Sequence, residues 1–135
     1  MTENELAGII RDARTKAGYS QGTLSELAEY EQASLSQFER GKRHITLGAM
    51  IRLLDALDLK LKAGQHVINT AGELYGVIGS AMLKKHMSNK DLAEASGLPV
   101  STMYYWTRAI MPGVKAVNAL AALNALELDV SVVEA

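Results

Sequence analysis

The sequence repeats itself. Leu6 to Arg40 lies over Leu74 to Arg108 without a gap, at a constant offset of 68 residues (74 minus 6). Leu6 then meets Leu74, Gly8 meets Gly76, Ile10 meets Ile78, Ala13 meets Ala81, Lys16 meets Lys84, Ser20 meets Ser88 and Leu24 meets Leu92. One further residue moves the offset to 69 (123 minus 54), where LDALDLKL at 54–61 meets LNALELDV at 123–130. An internal period of this kind fixes the architecture before any local pattern does, because each copy is one structural unit. Units of about 65 residues bury only about 60% of their unfolded surface and are marginal alone, so the two are expected to dock on each other or on another chain.

The unit is helical. Leu6, Ile9, Ile10, Ala13 and Ala17 recur at helical spacing and predict a first helix that Gly18 ends. Ser20 is a good N-cap for a second helix, about Gln21 to Glu29, with Leu24, Leu27 and Ala28 facing inward. A short break at Tyr30 and Glu31 precedes a third helix from Gln32 to Arg40, which buries Leu35 and Phe38, exposes Gln32, Ala33, Ser36 and Gln37, and stops at Gly41. Thr46 caps a fourth helix with an apolar stripe of Leu47, Met50, Ile51, Leu54 and Leu57, and the alternation in Leu59-Lys60-Leu61-Lys62 marks a short strand.

The second copy keeps this order. Leu74, Val77, Ile78 and Ala81 line its first helix, Ser88 caps its second, Gly97 makes the turn, and Pro99 stands at the mouth of the third, where a missing N–H costs little. Met103 and Trp106 replace Leu35 and Phe38 as the buried pair, Pro112-Gly113 breaks the chain, and Val117, Leu120, Leu123 and Leu126 stripe the last helix. Residues 128–132 alternate as a closing strand. The expectation is an all-α fold of two tandem helical bundles, at 1–63 and 73–135, each with a short β-strand at its end and joined by an ordered linker at 64–72. The open edges of the two strands need covering, either by each other within the chain or across a subunit interface.

Composition narrows the chemistry. There are no cysteines, which removes disulfides, thiolate metal sites and thiol catalysis together. No apolar run approaches the length of a membrane span, and the opening MTENELAGIIRDAR carries acids where a signal peptide carries bases, so a cytoplasmic protein is expected. His44, His66 and His86 are far apart and lack carboxylates at ligand spacing, so neither a metal nor another cofactor is expected. The sequence holds no nucleophile motif, glycine-rich phosphate loop or paired acids, and an enzyme is not the reading. The net charge of −1 gives no overall basic field. The densest basic cluster, Arg40-Gly41-Lys42-Arg43-His44, nonetheless falls directly after the third helix, which separates it from an ordinary solvated charge run.

Two short helices joined by a tight turn within a small bundle are the layout of a DNA-reading helix-turn-helix. Ser20-Gln21-x-x-Leu24-Ser25-x-x-Ala28, running on to Leu35-x-x-Phe38-Glu39-Arg40-Gly41, resembles the lambda-repressor/Cro-like (XRE) helix-turn-helix family over about residues 6–61. Departures are Ser25 where the family usually has Ala, Glu29 in place of the turn Gly, and Glu31 in place of the third helix's N-cap Ser. The second copy resembles the family more weakly. Ser88, Leu92, Ala93, Gly97 and Leu98 fit, whereas Thr107 stands where the Glu belongs, Ala109 replaces the stop Gly, and Val100 and Tyr104 occupy reader positions.

The resemblance implies roles for particular residues. Gln21 would hold a phosphate or brace a reader, and Gln32 would make the base contact, since its amide can pair bidentately with adenine in the major groove. Gln37 shares the exposed face, with Ala33 and Ser34 placed to touch a thymine methyl or a phosphate. Lys42 and Arg43 would clamp phosphates, and Arg40 would either join them or pair internally beside Glu39. In the second copy Asn89, Ser101, Tyr105 and Arg108 occupy positions for a further DNA contact, while Tyr104 and Tyr105 also suit packing against a partner. The function implied is a sequence-specific transcriptional regulator of double-stranded DNA, a repressor acting as a homodimer on a two-fold operator with half-sites about 34 Å apart. The alternative is an antitoxin-like or adaptor protein whose helix-turn-helix copies bind a protein partner such as a toxin.

Overall fold

In the computed structural model, which describes residues 1–107 and 113–135, every apolar stripe read above closes a helix. Helix α1 (Glu3–Lys16) starts at Thr2, whose hydroxyl accepts the Glu5 N–H. It carries Glu3 and Glu5 in its first turn and Arg14 and Lys16 in its last, the charge order its dipole favours. Helix α2 (Gln21–Ala28) is capped by Ser20, helix α3 (Gln32–Glu39) follows after the turn, and helix α4 (Leu47–Ala56) is capped by Thr46. Strands β1 (Leu59–Ala63) and β2 (His66–Ile68) come next, then α5 (Ala71–Lys84), α6 (Asn89–Ser96), α7 (Val100–Thr107), α8 (Ala116–Ala125) and β3 (Val130–Glu134).

The element bounds carry the same offsets as the residues. Adding 68 (71 minus 3) to the ends of α1, α2 and α3 gives the ends of α5, α6 and α7, and adding 69 (116 minus 47) to α4 gives α8. Left-handed residues correspond too: Gly18 with His86, Glu29 with Gly97, and Asp58 with Glu127.

The three strands form one antiparallel sheet in the order β2-β1-β3. β1 pairs with β3 from Leu59↔Glu134 to Ala63↔Val130, so the two expected strands cover each other within the chain. The second lies at 130–134 rather than 128–132, because in this register Leu128 and Asp129 fall opposite Gln65 and Gly64, which form the turn after β1. The 64–72 connection contributes β2, which folds back on β1 through the Gly64-Gln65 turn and pairs Leu61 with Ile68. One continuous core runs from Leu6, Ile10, Leu24, Leu35 and Phe38, through Leu61 and Ile68 of the sheet, to Leu92, Trp106 and Leu123. Tyr75 stacks on Trp106 at 6.4 Å between ring centroids. Among the described residues no helix is long and apolar enough to cross a membrane.

Two inward assignments are corrected. Leu27 is 55% exposed, because the buried arc of α2 runs through Leu24, Ser25 and Ala28 and leaves Leu27 on the far side of Leu24. Ala17 is exposed as the C-cap of α1, beyond its last packed turn.

Glu29 ends α2 at φ 52°, a conformation that costs an L-residue roughly 1–2 kcal/mol and that its counterpart Gly97 adopts without penalty. Glu29→Gly is expected to stabilise the fold by about 1 kcal/mol, and Gly97→Ala to destabilise it by a similar amount. A Cβ at Gly97 would meet nothing within 4 Å, so the second effect is one of backbone alone. Urea midpoints moving in the same direction for both variants would contradict this account. A pH-dependent term sits at the start of α6, where the Ser88 backbone N–H, and then its hydroxyl, hold the Asp91 carboxyl below the usual carboxylate range. A lowered folded value adds stability above the unfolded pKa that is lost as pH falls through the folded one. Thermal melts of Asp91→Asn and the parent should therefore differ at neutral pH and converge in strong acid.

Candidate nucleic-acid interface

Helix α3 is eight residues long and divides into two faces. Ser34, Leu35, Phe38 and Glu39 are buried, whereas Gln32 and Ala33 are exposed and Ser36 and Gln37 half-buried. It packs on α1 and α2, which leaves the second face outward.

What fixes its roll is a buried carboxylate. Glu39 has only 2% of its side chain exposed, and it accepts from Arg14 Nε at 2.8 Å, Arg14 Nη2 at 2.9 Å and Gln21 Nε2 at 3.1 Å. Arg14 also donates from Nη1 to the Tyr19 carbonyl at 2.9 Å, so one guanidinium ties the α1–α2 connection to α3. Bidentate Arg–carboxylate pairing of this kind sets direction as well as attraction. On the other side of the turn, Arg52 Nε donates to the Ala28 carbonyl at 3.0 Å and ties α4 to the end of α2.

Gln21 therefore ties the first turn of α2 to α3 through the Glu39 carboxylate. Gln32 lies across the first turn of α2: a Cβ at Gly22 would stand 3.3 Å from Gln32 Oε1, so the glycine makes room for that amide. Beyond α3, Arg40 is exposed, with its Nε donating to the Ser36 carbonyl at 3.3 Å, and Lys42 and Arg43 are exposed as well. Glu3 of α1 holds the end of this segment, its Oε1 2.7 Å from His44 Nδ1 and its Oε2 accepting the Ile45 N–H at 3.3 Å. Gln32, Ala33, Gln37, Arg40, Lys42 and Arg43 thus sit on α3's outward face and the segment that follows it.

Ser34 departs from its expected place. It is 6% exposed, because it falls on the arc that buries Leu35 and Phe38. The internal alternative for Arg40 is not taken up, since Arg14 and Gln21 occupy the Glu39 carboxylate.

In the second half Asn89 opens α6 half-buried, Ser101 is exposed, and Tyr105 is 47% exposed on α7 beside Val100 at 42% and Tyr104 at 53%. Arg108, Ala109 and Pro112 lie outside the described residues.

Sequence reasoning missed Arg14, although a signal was present. At the equivalent positions the second half has Met82 for Arg14 and Thr107 for Glu39, so both members of the pair are replaced together. Arg14→Met alone strands a buried charge and is expected to cost about 3–5 kcal/mol. The double variant Arg14→Met with Glu39→Thr should recover most of that loss in chemical denaturation. A double variant no more stable than the single one would deny the pair its central place.

Residues 10–63 match the family model described as helix-turn-helix, a span that runs from within α1 to the last residue of β1. No curated protein and no solved structure matches the chain. The matched span contains the whole α2–turn–α3 element with its outward polar face and basic flank. Over residues 10–63 the chain is thus similar to helix-turn-helix domains of the XRE type.

Proposed function

We propose that the chain is a cytoplasmic, sequence-specific transcriptional repressor that reads duplex DNA with α3. The observation that carries this reading is the outward ridge of Gln32, Ala33 and Gln37, held in fixed roll by the buried Glu39 and flanked by exposed Arg40, Lys42 and Arg43. Gln32 is the principal base reader, pairing with adenine N6 and N7. Arg40, Lys42 and Arg43 neutralise phosphates and set the register, which adds affinity without sequence choice. With a net charge of −1, attraction to DNA rests on this local patch. Repression by occupancy asks nothing of the chain beyond tight, specific binding.

The second half, 73–135, is on this reading a degenerate helix-turn-helix copy, and 64–72 connects it to the first. Support comes from the shared offsets of helices and left-handed turns. Asn89, Ser101, Tyr105 and Arg108 are its candidates for a further DNA contact. A palindromic operator would call for two identical α3 heads, and so for a homodimer.

A second reading is favoured by one observation: α7 shows Val100, Tyr104 and Tyr105 to its surroundings where α3 shows glutamines. Such a face suits a protein partner, as in an antitoxin or adaptor. Gel shifts with genomic fragments at low and moderate salt separate the two, because a pure adaptor retards none of them.

Gln32→Ala should weaken the cognate site by about 1–3 kcal/mol and leave random DNA nearly unchanged. Equal losses on both would remove its reading role. Lys42→Ala should weaken all sequences alike and reduce the slope of log affinity against log salt by about one. A slope identical to the parent's would take Lys42 out of the phosphate set.

A further inference from the structure

Two of the contacts between the halves obey a two-fold relation. Leu47 N–H donates to the Val114 carbonyl and Ala116 N–H to the Ile45 carbonyl, both at 2.8 Å, around the Thr46↔Lys115 pair. Moving Leu47 forward by 69 residues (116 minus 47) and Val114 back by the same amount turns the first bond into the second. Thr46 and Lys115 exchange places under the same operation, and they are the N-caps of α4 and α8.

The sheet repeats this independently. In the β1–β3 ladder Lys62 pairs with Ser131, again 69 residues apart (131 minus 62), so the operation leaves that pair where it is. Self-complementary bonding of this sort, in which each contact has its image, is the mark of a two-fold subunit interface. Here it lies inside one chain. Both edges of β1 are already taken, by β2 and β3, so β1 has no edge left to offer a second molecule.

We infer that a single chain carries both heads of a two-fold DNA reader, with α3 and α7 addressing two half-sites of unlike sequence. This rests on the regulator reading above. A two-fold operation keeps α3 and α7 at one height along the axis, the arrangement by which dimeric readers present two helices to one side of a duplex. The heads differ in chemistry. At the positions of Gln32, Ala33 and Gln37 the second head has Val100, Ser101 and Tyr105, and in place of Lys42 and Arg43 the sequence has Ile110 and Met111. Where α3 offers amides for adenine, α7 offers an apolar branch for a thymine methyl and hydroxyls for phosphate or a base edge. The target is therefore a non-palindromic site.

The test uses the full chain and a duplex that it selects from a random-sequence pool. Native mass spectrometry should give one chain per duplex, and hydroxyl-radical footprinting two protected patches on one face, about one helical turn apart. Ser101→Asp and Tyr105→Ala, both at exposed positions, should each erase only the patch of the second half-site and weaken binding at least about fivefold. Gln32→Ala should erase the other patch. Two chains per duplex with a symmetric footprint, or a single patch indifferent to Ser101→Asp and Tyr105→Ala, overturns the inference and leaves the regulator reading standing. Failure to select any duplex overturns both.

Discussion

One buried carboxylate sets the geometry on which this molecule depends. Glu39 lies on the inward face of α3, where an unpaired charge would cost several kcal/mol, and it is satisfied by Arg14 of α1 and Gln21 of α2. A fully satisfied polar network inside a core tolerates little rearrangement, because any roll of α3 would leave donors and acceptor unpaired. Apolar packing of Leu35 and Phe38 keeps α3 attached. The Glu39 network decides which residues then face outward, and so places Gln32 and Gln37 on the outer face with Ala33.

A second constraint acts between the halves. Each bundle is small enough to be marginal alone, and each ends in a strand whose polar backbone needs a partner. The β1–β3 ladder and the paired starts of α4 and α8 meet both needs at once, since they satisfy those groups and draw the two apolar cores into one. The interdependence is structural: Leu61 and Ala63 of β1 are buried in a sheet that needs β3 from the other half. Unfolding either bundle would strip the other of a strand partner.

Much of this was legible in the sequence, for definite reasons. Helical periodicity located the α-helices, and Ser20, Thr46 and Ser88 marked three of their starts because a side-chain oxygen there accepts an otherwise unpaired N–H. Gly18 and Gly97 marked left-handed ends, and the period itself foretold that the two late strands share a partner problem. Periodicity reports which face of a helix is inward but not what that face meets, so the Arg14–Glu39 pair, 25 residues apart, stayed hidden. The same limit misplaced Ser34 and Leu27, since a helix of eight residues gives too few points to centre its buried arc. β2 escaped notice because three residues, His66-Val67-Ile68, cannot display an alternation. Glu29 was visible only as a mismatch to the expected glycine, and its φ of 52° shows that the turn kept its shape while the residue changed.

The two halves differ at the positions of that network. The α7 sequence, Val100–Thr107, holds neither arginine nor carboxylate; its inward face is filled by Met103 and Trp106, with Tyr75 stacked on the indole. Apolar burial is non-directional and permits small rolls that a bidentate ion pair would resist. Hydrogen bonds weaken steeply with misalignment, so a helix free to roll is poorly suited to amide–base pairing. Contacts that depend on shape and apolar area suffer much less from such motion. Where Gln32 and Gln37 correspond to Val100 and Tyr105, Arg14 corresponds to Met82. A directional core underlies the outward glutamines of the first half, and an apolar core underlies the outward Val100 and Tyr105 of the second.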